Sequence, residues 1–402
     1  MADARRLLVV SHPSVVPVNQ SVYTALAARG WDLNLVVPDR WRHEYARGAF
    51  APKALPALQD RLLPTRVALA GRPQRHFYLA RPWRMLRALR PQVAFLEQEP
   101  FSVPALQWGQ ALAGARIPFG VQAAENLDRP LPLPARYMRG RTLARADFVA
   151  ARSPAAARLV ERWGMKGSVE LVPHAVPDWS TQSADAHRRF TVGYAGRLVE
   201  EKGIRDLVAA VRTMKRPSRL LVIGDGPLRL WLEEQRIPRA EIVVRTTVTH
   251  EEMPGAYAEM DVLVLPSRST PSWTEQFGRA LAEALSCNVP VVGADSGEIP
   301  WVVESTGGGR VFPEGNAEAL ARILDDLHDD PAARAAFAET GSAAVRRMFS
   351  VRASATALET LLLRACNDER SLSAQPEKWR SGRATGVSPS AKSARYAASR
   401  TL

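Results

Sequence analysis

The chain has 402 residues, 46% of them hydrophobic, and a formal net charge of +13 at pH 7. This length and apolar content support two hydrophobic cores of ordinary domain size. Its two cysteines, Cys287 and Cys366, exclude a disulfide framework and a zinc-ligand cluster, and they are consistent with a reducing compartment. The excess of positive charge favours anionic partners, namely phosphorylated ligands, phospholipid surfaces or nucleic acid.

Two classes of protein are disfavoured because their sequence signals are missing. The N-terminal apolar run Leu7 to Val10 is too short for a signal sequence, and nothing approaches the roughly 18 apolar residues of a spanning helix. We therefore expect a cytoplasmic protein, with peripheral contact at the inner face of the cell membrane as the alternative. No helix-turn-helix, zinc-finger or RNA-binding signature occurs, so we expect no nucleic-acid partner.

The first half of the chain alternates strands and helices, which is the pattern of a doubly wound parallel sheet. The predicted strands are Arg6 to Ser11, Asp32 to Val37, Gln92 to Glu97, Ile117 to Gln122, Asp147 to Ala151 and Val169 to Val172. Helical stretches such as Ser21 to Arg29 and Ala155 to Trp163 lie between them. The segment Pro38 to Pro82 is rich in proline and arginine and receives no assignment.

An arginine-rich stretch begins within this unassigned segment and continues beyond it. Its arginines stand mostly three residues apart: Arg72, Arg75, Arg81, Arg84, Arg87 and Arg90. Because Trp83, Leu86 and Leu89 lie between them, Pro82 to Arg90 is predicted to form a basic amphipathic helix. The plainer interpretation is a core helix with a solvated basic face, and the alternative is a helix that rests on an anionic membrane.

Polar groups at the ends of first-half strands are candidates for contact with a substrate. Glu97 and Glu99 follow one strand, and Glu125 and Asn126 follow another. A carboxylate at such a strand end can orient or deprotonate a hydroxyl group. Glu99 is equally explained as a helix-start residue, because a predicted helix follows it. His12, after the first strand, is a lesser candidate.

The second half repeats the alternation after a break at Pro173 to Arg189. Its predicted strands are Thr191 to Tyr194, Arg219 to Ile223, Ile242 to Val244, Val262 to Leu265 and Val289 to Val292, and its last helices are Ala317 to Leu327, Ala332 to Met348 and Val351 to Arg364. We expect a first domain over 1–174, a linker over 175–188, a second domain over 189–350, a closing helix over 351–366 and a disordered basic tail over 367–402.

A glycine loop with two cations follows the first strand of the second half. Gly196 and Arg197 come directly after this strand, and Lys202 follows within the same loop. Two cations on a strand-to-helix loop can neutralise a diphosphate. The alternative is a surface loop in which the cations pair with Glu200 and Glu201.

A second glycine turn, Gly224-Asp-Gly-Pro227, follows the next buried strand. It does not match the dinucleotide fingerprint, because Arg229 stands where that pattern requires glycine or alanine. NAD and FAD are therefore set aside.

Two glutamates, Glu275 and Glu283, lie on either side of a glycine. A predicted helix from Gln276 to Ser286 puts Glu275 at the helix mouth and Glu283 about two turns inside, so that both carboxylates can face one site. The helix mouth offers unpaired N–H groups to a phosphate, and Gly278 lets a ligand approach the backbone. Glutamates two turns apart are also common on solvated helix faces, which is the alternative.

These motifs, followed by Asn288-Val-Pro-Val-Val292 and Gly297-Glu-Ile-Pro300, resemble in order and spacing the family-4 retaining glycosyltransferases. The likeness is strongest over Val192 to Val311. It implies the α/β fold called GT-B, in which two Rossmann-like, doubly wound parallel-sheet domains face each other across a cleft. In such a fold the last helix is expected to cross back onto the first domain.

The resemblance implies a role for each matching residue on the donor side. Arg197 and Lys202 would hold the diphosphate of a nucleoside-diphosphate sugar, and Glu283 would hold its ribose. Glu275 and the backbone of Phe277 and Gly278 would hold the transferred sugar. The other donor-side positions are the turn glycines Gly196 and Gly224, and Val248 in a loop along the nucleobase.

The resemblance assigns the first domain to the acceptor. The catalytic candidates are Glu275, Arg197, Lys202 and Glu125, and the further acceptor-side candidates are His12, Glu97, Glu99 and Asn126. The chain departs from the family pattern at Ser11 to Asn19, where a glycine pair is common, and at Trp301, where a glutamate is common.

Together these features predict a metal-independent retaining glycosyltransferase that moves a hexose from a nucleoside-diphosphate sugar to a hydroxyl group of a glycan, lipid-linked or small-molecule acceptor. No metal and no cofactor are expected, because no Asp-x-Asp pair lies near the donor site and the cations and helix mouth supply positive charge. A nucleotide-sugar 2-epimerase of the same architecture and a non-catalytic nucleotide-sugar-binding scaffold are the alternatives.

Overall fold

The computed structural model describes residues 5–42, 48–179 and 189–367. Within these ranges the strands β1 to β15 are Arg6–Ser11, Asp32–Pro38, Leu62–Thr65, Val67–Ala68, Phe77–Tyr78, Val93–Glu97, Phe119–Ala123, Phe148–Ala151, Ser168–Leu171, Phe190–Ala195, Ser218–Ile223, Ala240–Arg245, Val262–Leu265, Val291–Ala294 and Gly309–Phe312. The helices α1 to α13 are Ser21–Ala28, Pro82–Leu89, Val103–Gly114, Leu133–Leu143, Pro154–Arg162, Ile204–Thr213, Arg229–Glu233, Met253–Ala258, Arg279–Ser286, Ile299–Thr306, Ala317–Asp329, Pro331–Met348 and Val351–Asn367.

Seven parallel strands form the first sheet, in the order β3-β2-β1-β6-β7-β8-β9. Its inner strands are buried on both faces, which is why Leu7 to Val10 reads as an unbroken apolar run. Helices α1 and α13 cover one face, where Leu362 is fully buried. Helices α2, α3 and α4 cover the other face, where Trp108 is fully buried.

Six parallel strands form the second sheet, in the order β12-β11-β10-β13-β14-β15. In each sheet the strand order reverses beside the first strand of the domain, between β1 and β6 and between β10 and β13. Ligands of doubly wound sheets bind at this point, beyond the carboxyl ends of the strands. Four loops therefore frame the candidate site: 12–20 and 98–102 in the first domain, and 196–203 and 266–278 in the second.

The last helix returns from the second domain to the first. Helix α12 packs against α9, and α13 then packs against α1. The indole Nε1 of Trp31 donates to a carboxylate oxygen of Glu359 over 2.9 Å, and Arg29 Nη1 lies 2.8 Å from the other oxygen. The Ser354 hydroxyl donates to the Pro173 carbonyl over 3.1 Å. Helix α13 thus contributes to the core of the first domain.

The strands that the sequence did not predict are short or interrupted. The unassigned segment Pro38 to Pro82 contains β3, which has four residues, and the antiparallel hairpin β4–β5, whose strands have two residues each. Strand β15 is also unpredicted, because Gly309 and Arg310 leave it with too short an apolar run. Strand β14 begins at Val291 rather than Val289, after Asn288 in a left-handed conformation.

The predicted helix from Gln276 to Ser286 is wrong at its start. Helix α9 begins at Arg279, because Gly278 has a φ of +74° and cannot continue a right-handed helix. Glu283 is therefore about one turn inside the helix rather than two.

Two predicted segments lie largely outside the described residues, namely most of the linker over 175–188 and nearly all of the tail over 367–402. Among the helices that are described, none has the length and apolar character needed to cross a bilayer.

Truncating Leu362 tests whether α13 belongs to the first core. Leu362→Ala should lower the free energy of unfolding by about 2–5 kcal/mol, since its side chain is fully buried. Leu230, which is 64% exposed, supplies the matched control, and Leu230→Ala should stay within about 0.5 kcal/mol of the parent. Urea unfolding followed by tryptophan fluorescence measures both, and equal midpoints would contradict this role of α13.

Candidate active site

Close backbone contacts hold the loops of the second domain together. The N–H of Gly196 donates to the carbonyl of Ile223 over 2.9 Å, and a Cβ added at Gly224 would lie 1.9 Å from the Gly196 carbonyl oxygen. Gly203 has a φ of +66°, and a Cβ there would lie 1.8 Å from the Pro266 oxygen. These glycines are required because the loops after β10, β11 and β13 touch through their backbones.

The contact between these loops brings Lys202 and Glu275 together. Lys202 Nζ lies 2.5 Å from Glu275 Oε2, and the Ser267 hydroxyl donates to the same oxygen over 2.8 Å. Lys202 Nζ also lies 5.0 Å from the centre of the Trp273 ring. Glu275 is 8% exposed, so this ion pair is largely shielded from water. Lys202 therefore pairs across the site rather than with the neighbouring Glu200, which pairs with Arg205 instead.

The backbone of Glu275 is held as firmly as its side chain. Its carbonyl accepts from the Asn126 amide over 2.8 Å and from the Glu298 N–H over 3.0 Å. A Cβ added at Gly297 would lie 2.1 Å from the same carbonyl oxygen. Asn126 belongs to the first domain, so the position of Glu275 depends on both domains.

Arg197 lies on the solvent side of the same loop. Its side chain is exposed, and its carbonyl accepts from the buried hydroxyl of Tyr194 over 2.6 Å. Burial raises the pKa of Tyr194, so this hydroxyl stays protonated and donates. The loop backbone at Arg197 is thereby fixed.

Glu283 has partners of its own, separate from those of Glu275. Its carboxylate accepts from the Tyr257 hydroxyl over 2.9 Å and lies 2.8 Å from Arg279 Nε. The Trp179 ring packs on Tyr257 at 6.1 Å and on His250 at 4.9 Å between ring centres. The second glutamate therefore adjoins a group of aromatic rings.

The residues between the two glutamates form a packed turn. Phe277 is buried, with ring-centre distances of 5.6 Å to His174, 5.9 Å to Trp301 and 5.2 Å to Phe349. Trp301 thus fills, with an aromatic ring, a place where the family commonly has a glutamate. Val248 packs half-buried against the same core.

A cavity of 350 Å³ lies between the domains. Glu97, Arg152 and His174 line it together with Glu275 and the backbone around Gly278. Arg279 of the second domain donates to the Asn19 side chain over 3.2 Å at this cavity. The structure thus brings Glu97 of the acceptor side to the same cavity as the donor-side turn.

The Glu97 carboxylate accepts hydrogen bonds from three side chains. It accepts from the hydroxyls of Ser11 and Tyr23, each over 2.6 Å, and from Arg152 Nη2 over 2.8 Å. Arg152 also donates to the Gln122 side chain over 2.6 Å and to the Val172 carbonyl over 3.1 Å. This buried network makes the first-domain wall of the cavity rigid and polar.

The other acceptor-side candidates lie apart from this cavity. Glu125 forms an ion pair of 2.9 Å with Arg129. His12 packs against Trp41 and His76, and burial lowers its pKa to about 3, so the ring is neutral at pH 7. Glu99 does not cap the following helix; its Oε1 accepts from the N–H of Ala124 over 2.8 Å.

Sequence reasoning missed Arg152, His174 and Arg279 as cavity residues. Arg152 directly follows the buried strand β8, and an arginine at the end of an apolar strand was a usable signal. Arg279 lies in the motif that contains Glu275 and Glu283, but its contact with the first domain depends on tertiary structure.

Within the described ranges, no group of three or more His, Cys, Asp or Glu side chains is placed to hold a metal ion.

Residues 176–343 match the family model described as Glycosyl transferases group 1. The match covers most of the second domain. Over 151 residues the chain is 32% identical to the 2-deoxystreptamine N-acetyl-D-glucosaminyltransferase of Streptomyces fradiae, covering 35% of this chain and 34% of that protein. Over 184 residues it is 29% identical to the 2-deoxystreptamine glucosyltransferase of Streptomyces kanamyceticus, covering 41% and 46%. The chain thus matches less than half the length of either relative.

Solved structures of similar fold cover most of this chain. Sucrose-phosphate synthase from Thermosynechococcus elongatus superposes with a TM-score of 0.67 at 18% identity, covering 89% of this chain and 98% of that one. HepE from Anabaena, in complex with UDP, superposes with a TM-score of 0.66 at 17% identity, covering 89% and 99%. The predicted GT-B fold is confirmed, as is the resemblance to glycosyltransferases.

The pKa of Glu99 predicts a pH-dependent stability. Burial raises this pKa from 4.5 to about 7, so the folded protein holds a proton that the unfolded chain releases above pH 4.5. The stability that the raised pKa of Glu99 supports is present below pH 4.5 and is lost as the pH rises through 7. The free energy of unfolding of Glu99→Gln, relative to that of the parent, should therefore be higher at pH 8 than at pH 5. Urea unfolding at both values tests this, and a pH-independent difference between variant and parent would contradict it.

Proposed function

We propose that this chain is a retaining glycosyltransferase that moves a hexose from a nucleoside-diphosphate sugar to a hydroxyl acceptor without a metal ion. The observation that carries the proposal is the contact between Lys202 and Glu275, at the point where the second sheet reverses its strand order. A cation and a carboxylate meet there beside a helix N-terminus and an interdomain cavity. The match of residues 176–343 to the group 1 glycosyltransferases supports this function.

On the donor side, we assign the diphosphate to Arg197 and Lys202. Lys202 is paired with Glu275, so a diphosphate competes with Glu275 for the ammonium group. Donor binding thereby releases Glu275 Oε2 to accept a hydrogen bond from the transferred sugar. Glu283, beside the rings of Tyr257 and Trp179, is assigned to the ribose and its neighbouring base.

On the acceptor side, we assign the 350 Å³ cavity to the acceptor hydroxyl and its immediate surroundings. Glu97 is held by three donors, so it orients the wall of the cavity rather than removing a proton. The leaving phosphate is then the group that accepts the acceptor proton, and Arg197, Lys202 and the N–H groups at the start of α9 stabilise its charge. Front-side attack of this kind retains the anomeric configuration. The acceptor itself is a glycan, a lipid-linked group or a small molecule.

Thermal shifts with UDP, GDP and ADP test the donor site. A nucleotide at 100 times its Kd should add about 2.7 kcal/mol of stability to the parent protein, with and without EDTA. We expect Arg197→Ala and Glu283→Ala to lose most of this shift. Arg322→Ala is the matched control, because Arg322 is exposed on α11, outside the loops that frame the site, and it should keep the shift.

Two outcomes would reject the donor site: no shift with any of the nucleotides, or a shift that EDTA abolishes. NMR of the product then tests the stereochemistry. A product of inverted anomeric configuration rejects the retaining mechanism, and conversion of the donor sugar without an acceptor identifies an epimerase instead.

A further inference from the structure

One surface of the first domain has positive charge without acidic residues. Residues 61–96 contain eight arginines, no lysine, no aspartate and no glutamate. Within the described part of the chain, Arg61 is the one of these eight that has an acidic partner, Asp32. The other arginines are exposed: Arg66, Arg72, Arg75, Arg81, Arg84, Arg87 and Arg90. Their charge is therefore available to an anionic partner.

The hairpin β4–β5 supplies apolar side chains on the same surface. Val67 and Tyr78 pair and point inward, where both are buried. Because side chains alternate along a strand, Phe77 and Leu79 point outward, and they are 38% and 57% exposed. Leu69, at the start of the connecting turn, is 56% exposed.

Helix α2 continues this surface directly after the hairpin. Leu86 is buried against the first domain, whereas Trp83 is 49% exposed beside the exposed Arg84 and Arg87. The guanidinium of Arg84 lies 5.3 Å from the Trp83 ring centre. The described residues contain eight large exposed apolar side chains, and four of them lie within residues 69–83. We call this region, from Arg66 to Arg87, the hairpin–α2 surface.

The neighbouring helices keep the same character. Helix α3 packs between α2 and α4, and neither α3 nor α4 contains an acidic residue. On α4, Leu133 is 77% exposed and Tyr137 is 60% exposed. Helices α2, α3 and α4 are therefore free of negative charge, and on the same face of the sheet α5 carries one carboxylate, Glu161.

We infer that the hairpin–α2 surface docks onto an anionic phospholipid bilayer. Arginines attract the negative leaflet, and exposed leucine and tryptophan side chains enter the boundary between headgroups and acyl chains. A nucleic acid would engage the arginines but leave Leu69 and Leu79 in water. The mixture of arginines and large apolar side chains therefore favours the bilayer.

Vesicle flotation tests this inference. The full chain should float with vesicles of phosphatidylcholine and phosphatidylglycerol at low salt, less at high salt, and little with phosphatidylcholine alone. Arg84→Gln with Arg87→Gln should lower the partition coefficient about 25-fold, since each arginine near the surface contributes about fivefold. Leu79→Ser with Trp83→Ser should lower it as well.

Matched controls come from the second domain. Arg322 and Arg347 are exposed and Leu230 is an exposed leucine, so Arg322→Gln with Arg347→Gln, and Leu230→Ser, should float like the parent. Flotation of the arginine variant equal to its control, or no flotation of the parent at low salt, overturns the inference. Loss with the arginine variant but not with the Leu79 and Trp83 variant also overturns it, because attraction between charges alone then accounts for the flotation. Nucleotide thermal shifts of these variants should be unchanged, so this outcome is separate from that of the donor site.

Discussion

The ion pair of Lys202 and Glu275 depends on a close approach of backbones that only glycine permits. Gly203 lies against the Pro266 carbonyl, and Gly224 lies against the Gly196 carbonyl. A side chain at either position would push apart the loops after β10, β11 and β13. The chemistry of the site thus rests on residues that carry no functional group, because they set the distance between those that do.

The second constraint is that the site is shared between domains. Asn126 holds the Glu275 carbonyl, Arg279 reaches Asn19, and the Glu298 carboxylate accepts from the Ala155 N–H over 3.2 Å. The last contact places a carboxylate at the N-terminus of α5, where the helix dipole favours negative charge. Any change in the angle between the domains must therefore alter hydrogen bonds that end on the donor-side motifs.

The buried hydrogen-bond network around Glu97 makes the first-domain wall of the cavity polar and rigid. Burying a carboxylate and a guanidinium is costly unless their hydrogen-bonding groups are satisfied, and here Ser11, Tyr23 and Gln122 satisfy them. A network of this kind adds rigidity more than stability. It presents a fixed set of polar groups to whatever enters the cavity.

The sequence predicted the elements whose burial leaves a clear pattern. The central strands β1 and β13 match their predicted bounds, because strands buried on both faces read as apolar runs. The hairpin β4–β5 was not predicted, since two-residue strands leave no periodic signal in the sequence. The start of α9 was misplaced, although Gly278 was a usable signal, because glycine is disfavoured inside helices and readily adopts the left-handed φ observed here.

The site was predictable to the extent that it lies in local motifs. Lys202, Glu275 and Glu283 stand in short segments with recognisable spacing, and the structure places the first two in contact. The first-domain residues were less predictable, since Glu125 and His12 have the right chemistry, but Glu125 pairs with Arg129 and His12 bonds to Gln98. Arg152 and Asn19 enter the cavity through long-range packing, which spacing along the chain does not encode.

The most direct test of the account is a crystal structure of the protein with a bound nucleoside diphosphate. We expect the diphosphate between Arg197 and the N-terminus of α9, with Lys202 Nζ turned from Glu275 toward a phosphate oxygen. A nucleotide bound outside loops 196–203 and 266–278, or one whose phosphates are held through a metal ion while Lys202 stays on Glu275, would contradict it.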